Sequence, residues 1–193
     1  MPKLQYRFRV SLENFGVSTP TTELTKQVVD VTRPNVSFEQ ITVDVYNSRV
    51  YLAGKHTWEP VTLNLREDVS NNVQKLVGEQ LQKQFDFFEQ SSAASGSDYK
   101  FVTRIEILDG GNGINVANVL ETFELYGCYL QSANYNTLNY ATNDPVTVAL
   151  SIKYDNAIQT PQGTGIGTAI GRTVNTAITG CLLYTSPSPR DIG

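Results

Sequence analysis

A catalytic or metal centre in this chain would have to be assembled around a single histidine, His56. It lies in the polar run Gly54-Lys55-His56-Thr57, which reads as an exposed loop. Neither H-E-x-x-H nor G-x-S-x-G occurs, so no zinc protease helix or nucleophile elbow can be built. Gly165-x-Gly167-x-x-x-Gly171 has the glycine density of a phosphate loop, but it lacks a preceding strand, a following Lys-Ser/Thr and the G-x-G-x-x-G spacing. The turn Asp109-Gly-Gly-Asn-Gly113 offers calcium one carboxylate, a poor ligand set. Glu121 and Glu124 alternate to opposite sides of one strand, so they cannot work as an acid–base pair. Cys128 and Cys181 are too few and too far apart for a zinc motif, and no C-x-x-C occurs. The chemistry-bearing residues therefore predict no enzyme, no metal and no cofactor.

The elements around these residues are mostly strands. Leu4 to Leu12 alternates apolar and polar without a fault, and so does Val146 to Tyr154; Phe101, Thr103, Ile105 and Ile107 mark one face of a strand from Tyr99 to Leu108. Gln27 to Val31, Val36 to Val45, Arg49 to Ala53 and Thr57 to Arg66 complete the candidates, with a turn at Tyr46-Asn47-Ser48. Val36 and Phe38 share one parity and Ile41, Val43 and Val45 the other, so a bulge near Glu39–Gln40 is expected. Leu120 to Leu130 is apolar on both faces, as a central strand would be. Glu13 to Thr25 reads as loop.

One helix is predicted, over Asp68 to Gln90. Val69, Val73, Leu76, Val77, Leu81, Phe85 and Phe88 fall on a single stripe and should all be buried. Asp68 or Ser70 should cap it, and Gly78 in its middle suggests close packing by a neighbour. Strands at both ends with one helix between them predict a mainly β fold, an antiparallel β-sandwich or split barrel flanked by one α-helix. The predicted organisation is a domain over 1–158, a Gly/Thr-rich flexible extension over 159–180, and a tail over 181–193 (CLLYTSPSPRDIG) that resembles the translation of a sequencing adapter.

Of the 193 residues, 40% are hydrophobic and 18% charged, with a formal net charge of −4. Tight nucleic-acid binding needs a basic surface, so this balance argues against it while remaining compatible with DNA passing nearby without sticking. No apolar run is long enough to cross a membrane as a helix and no signal-peptide core opens the chain, which points to a reducing, cytoplasm-like compartment without disulfides.

Two segments carry a family resemblance. NSRVYLAGKHTWEPVTLNLREDVSNNVQKLVGEQL and ELYGCYLQSANYNTLNYATNDPVTVALSIKYDN resemble, in order and spacing, the tail tube proteins of contractile-tailed, T4-like bacteriophages. In the first, a hairpin with an Ala-Gly turn leads to a strand and the helix. In the second, a Gly-bearing strand precedes a polar connection and a regular last strand. The resemblance covers roughly Leu4 to Asn156 and departs from compact members in Glu13–Pro34 and the Gly-rich tail.

The resemblance implies hexameric rings that stack into a tube, with inner strands of neighbouring subunits pairing around a lumen. The implied partners are further copies of the chain, the tail sheath, the baseplate and the tail terminator. The tape-measure protein and genomic DNA would pass through the lumen without specific binding. Assembly in the host cytoplasm and a place in the virion tail follow. Arg49, Val50, Tyr51 and Leu52 are the candidate ring-stacking contacts: three apolar residues beside one polar anchor, in a hairpin that the family places near the junction between rings. Val50 and Leu52 could instead belong to the subunit's own core. The competing reading of the whole chain is a sandwich-type binding module, capsid-decorating or carbohydrate-binding, with Tyr126, Tyr129, Tyr135 and Tyr140 as its platform.

Overall fold

The computed structural model describes residues 3–17, 21–23, 26–109, 117–141 and 143–161. In chain order the strands are β1 (Phe8–Glu13), β2 (Thr21–Glu23), β3 (Val28–Val31), β4 (Val36–Val45), β5 (Ser48–Trp58) and β6 (Val61–Arg66). Helix α1 (Asn72–Gln84), short strands β7 (Phe85–Asp86) and β8 (Ser91–Ser92), and helix α2 (Gly96–Tyr99) follow. The chain continues through β9 (Phe101–Leu108), β10 (Val119–Tyr135), β11 (Thr147–Lys153) and β12 (Asn156–Pro161). The fold is mainly β, and every strand pairing is antiparallel.

Two sheets share β10, the strand whose two apolar faces mark it as central. Its first half lies between β9 and β12 in a sheet ordered β2-β1-β9-β10-β12; its second half starts the order β10-β11-β6-β3. Val10, Leu12, Ile105, Phe123 and Leu125 of the first sheet meet Val61, Leu63, Leu65, Leu150 and Ile152 of the second in one core. Period-two alternation aims these side chains inward on β1, β6, β9 and β11, as their sequences predict. Strand β1 is shorter than its pattern: Leu4 to Arg7 turns instead, with the Arg7 N–H donating to the Leu4 carbonyl. Glu13 to Thr25 is not all loop, since it contains β2 and the fully buried Phe15, whose ring meets Phe101 edge-on at 5.0 Å.

The sheets part at Gly127. Between Leu125 and Cys128, β10 carries one more residue than β9 opposite it, so the strand bulges and bends. Gly127 supplies the left-handed φ of 68° that this bend requires. On the other side of β10, β11 gives way to β12 through Tyr154 and Asp155, and the Asp155 N–H donates to the Tyr126 carbonyl at 3.0 Å. Cys128 is buried beside the bend as a free thiol, and burial pushes its pKa up to about 11.

The helix is shorter than its stripe at both ends. Asp68 to Asn71 forms a turn, with Asn71 left-handed at φ 55°; the Ser70 hydroxyl donates to the Asp68 carboxylate and caps nothing. Val69 is fully exposed as a result. At the other end, Phe85 is extended and pairs with Ser92, while Asp86 Oδ1 accepts from the N–H groups of Phe88 (2.9 Å) and Glu89 (3.3 Å). This Asx turn satisfies the backbone locally and outcompetes another helical turn. Of the seven stripe residues only Val73 and Val77 are buried and Leu76 and Leu81 partly so; Phe85 and Phe88 face outward.

The place expected for apolar side chains is taken partly by glutamine. Gln80 is fully buried: its Oε1 accepts from Gly16 N (3.1 Å) and its Nε2 donates to Tyr99 O (2.7 Å). One turn on, Gln84 forms a two-bond ring with the backbone of Leu130, accepting at 2.8 Å and donating at 3.0 Å. Here β9 has ended and β10 would present a bare edge, so the amide stands in for a neighbouring strand.

Gly78 is not packed against a neighbour: a Cβ added there would meet nothing within 4 Å. Gly78→Ala should therefore stabilise the monomer by roughly 0.5–1 kcal/mol through helix propensity, read from urea unfolding midpoints.

Candidate assembly surfaces

Among the described residues, strands β4 and β5 pair only with each other and stand off both sheets as a two-stranded arm. Its root is fixed. Trp58, 9% exposed, stacks 5.7 Å from the Tyr154 ring; the Glu59 N–H donates to Asn35 O, and Lys153 donates to the Trp58 carbonyl. Beyond the root every residue from Ser37 to Ala53 is exposed. His56 is not a loop residue: it belongs to β5, pairs with Phe38, and sits between the Phe38 and Trp58 rings at 6.3 and 6.1 Å.

The expected bulge is present at Glu39, but the extra residue is on β5. Phe38 pairs with His56 and Gln40 with Ala53, so Glu39 faces both Gly54 and Lys55. Only glycine fits easily at 54, where a Cβ would lie 2.9 Å from the Glu39 carbonyl oxygen. Strand β4 keeps its alternation, which leaves Val36 and Phe38 on one face and Ile41, Val43 and Val45 on the other.

The four candidate contact residues divide between those faces. Arg49 and Tyr51 lie opposite Asp44 and Thr42, and Arg49 Nε meets Asp44 Oδ1 at 3.0 Å. Val50 and Leu52 lie opposite Val43 and Ile41 on the second face. Tyr51 is 61% exposed, Val50 45% and Leu52 52%, so neither face belongs to the subunit's core. The turn puts Tyr46 at the tip, fully exposed, with a φ of 54°.

A second apolar group was hidden in the helix pattern. In the β7–β8 hairpin Phe85 and Phe87 pack edge-on at 5.4 Å, while Phe87 is 61% and Phe88 94% exposed. Phe87 lies off the helical stripe, which was the available sign that Phe-Asp-Phe-Phe does not continue the helix.

The outward face of the first sheet is polar, with Arg9 and Arg104 held by carboxylates. Arg9 meets Glu106 at 2.5 Å, and Arg104 bridges Glu13 (2.7 Å) and Glu124 (3.0 Å). The Tyr126 hydroxyl donates to Glu124 at 2.6 Å; that bond, and Arg104 after it, holds the Glu124 carboxyl below the usual carboxylate range. Glu121, on the core side as its parity requires, is tied to Lys3 at 2.6 Å and accepts from Gln159. Of the four tyrosines of the competing reading, Tyr126 lies on the outward side of the first sheet beside Glu124, Tyr129 pairs with Lys153 and Tyr135 with the buried Val148 in the second, and Tyr140 stands fully exposed in the β10–β11 connection.

Among the described residues no group of three His, Cys, Asp or Glu side chains is placed to hold a metal ion, and no helix is long and apolar enough to cross a membrane. Of the predicted Asp109–Gly113 reversal only Asp109 is described, where its N–H donates to the Asn118 carbonyl at 3.0 Å; residues 110–113, the 159–180 extension beyond Pro161 and the 181–193 tail lie outside the described residues.

No protein-family model matches the sequence, and no curated protein matches it. Solved structures do. A chain of the anti-feeding prophage baseplate superposes with a TM-score of 0.64 at 11% identity, over 85% of this chain and 99% of that one. A chain of the sheath–tube complex of the PVC extracellular contractile injection system gives 0.59 at 15% identity, over 83% and 92%. The SPP1 tail tube gives 0.55 at 10% identity, over 83% and 80%. With its shared β10, its flanking helix and its free-standing β4–β5 arm, the chain has the fold of tail tube proteins.

Proposed function

We propose that this chain is a tube subunit whose copies close into six-membered rings, stack, and form the inner conduit for DNA in a contractile phage tail. The observation that carries the reading is the β4–β5 arm, a two-stranded ribbon that no other described strand of its own subunit joins. An isolated two-stranded ribbon is marginal in water, and exposed apolar strands invite association. In an assembled tube both costs vanish, because a second copy covers the arm.

The face with Arg49 and Tyr51 meets the next ring, and Val50 and Leu52 supply the apolar area of the arm's contact with another copy. A net charge of −4 and arginines held by carboxylates suit a passage along which DNA slides without sticking. The role is structural rather than enzymatic. Sheath, baseplate and terminator are the outer and end partners, assembly takes place in the host cytoplasm, and the product is part of the virion tail.

Electron microscopy of the purified protein tests this reading: rings or tubes support it, and a strict monomer at high concentration rejects it. Tyr51→Asp places a charge on the face assigned to stacking. It should leave the unfolding midpoint unchanged and rings intact while abolishing tubes. Normal tubes from this variant would remove Tyr51 from the junction.

A further inference from the structure

The arm raises a question that tube formation alone leaves open: what covers its aliphatic face. Ile41, Val43, Val45, Val50 and Leu52 line that face, each 40–52% exposed. Register places it opposite the side occupied by Val36 and Trp58, the residues with which the arm is rooted in its own core. The aliphatic face is thus turned away from the core residues that root the arm, and no described residue of its own subunit pairs over it.

The same chain carries a second uncovered apolar group, Phe87 and Phe88 on the β7–β8 hairpin. The two groups emerge at one end of the second sheet. Val61, where β5 hands over to β6, is in register with Ile152, and Ile152 with Leu130; Leu130 is the residue that Gln84 grips at the end of α1, just before the phenylalanines. In a ring every subunit shows the same end to the same side, and closure requires two different, complementary patches at one height. The arm and the phenylalanine hairpin are two different apolar patches of the kind such a closure uses.

Charge at the margins agrees. Asp86 and Glu89 flank the phenylalanines, and the hydrogen bonds from the Glu89 and Phe88 N–H groups hold the Asp86 carboxyl low, hence ionised. Lys55, at the bulge beside the aliphatic face, has no ion-pair partner among the described residues.

We infer that Phe87 and Phe88 of one subunit seat on the Ile41/Val43/Val50/Leu52 face of the arm of its lateral neighbour, with Glu89 toward Lys55. This inference rests on the tube reading and adds a specific contact within the ring, distinct from the Tyr51 face between rings. Two phenylalanines bury roughly 300–500 Å². That is less than the ~800 Å² per partner of a stable interface, so the clasp works together with other contacts around the ring.

The test has two parts. Phe88→Asp changes a side chain that is 94% exposed in the free subunit, so its unfolding midpoint should match wild type while the concentration needed for ring formation, measured by mass photometry, rises at least tenfold. In a Cys181→Ser background, Leu52→Cys together with Phe88→Cys should give a bismaleimide ladder of covalent oligomers, and neither single cysteine variant should. Wild-type rings with an unchanged threshold for Phe88→Asp, or rings of the double-cysteine variant without a ladder, would overturn the clasp and leave the tube reading standing. A wild type that forms no rings would overturn both.

Discussion

Gly127→Ala should destabilise the subunit by about 2–5 kcal/mol, through left-handed backbone strain of about 1–2 kcal/mol and overpacking of about 1–3 kcal/mol. The strain follows from a φ of 68°, which a side chain rarely tolerates. The overpacking follows from space: a Cβ at 127 would lie 2.2 Å from Asp155 Oδ2 and 3.1 Å from Asp155 Cβ. The Asp155 carboxylate can swing aside only by giving up Lys100, and its Cβ is held in place by the N–H that donates to the Tyr126 carbonyl. Denaturant unfolding would show a large fall in midpoint. A double variant, Gly127→Ala with Asp155→Ala, should recover part of it, since only the backbone strain and the tighter Cβ contact then remain. No loss on Gly127→Ala would mean that β10 bends elsewhere. The lost Lys100 pair contributes little, because Asp155 is 60% exposed there and such pairs are worth at most about 1 kcal/mol.

The second large effect is expected at Gln80, a polar residue in a place that amphipathic logic reserves for an apolar one. Gln80→Leu preserves size and adds hydrophobicity, yet it leaves the Gly16 donor and the Tyr99 acceptor without partners. Each orphaned group costs about 1–3 kcal/mol when buried, so a loss of about 2–5 kcal/mol is expected. Native-state hydrogen exchange gives a second readout: the Gly16 amide should lose protection while the amides of β9 and β10 keep theirs. A variant as stable as wild type, with Gly16 still protected, would show that water replaces the amide. Gln82→Ala, an exposed change two residues on, should stay within about 0.5 kcal/mol of wild type.

Both effects arise where local pattern and three-dimensional context disagree, and the same division runs through the molecule. The order of residues within one segment already sets which way each side chain points relative to its own backbone. The alternations in β1, β6, β9 and β11 place Leu12, Leu63, Ile105 and Leu150 in the core; Glu121 and Glu124 part to opposite faces; Val50 and Tyr51 do the same. It also marked the level of the bulge at Glu39 and the central place of β10. Periodicity is a property of one segment, so one segment suffices to read it.

Whether a face is then covered depends on a second segment, and that is settled when distant parts of the chain meet in the fold. Val50 and Leu52 have the pattern of a core strand, yet no layer of described residues lies over them. Phe15 sits among polar neighbours in sequence, yet Phe101 draws it fully inside. The extra residue of the bulge belongs to the partner strand because a bulge counts residues on two strands at once. The helix stops before Phe85 because Asp86 offers the next amides a closer partner, a competition that hydrophobic spacing does not record. Gln80 is buried because two backbone groups, 64 and 19 residues away in the chain, meet at its amide and have no other partner there.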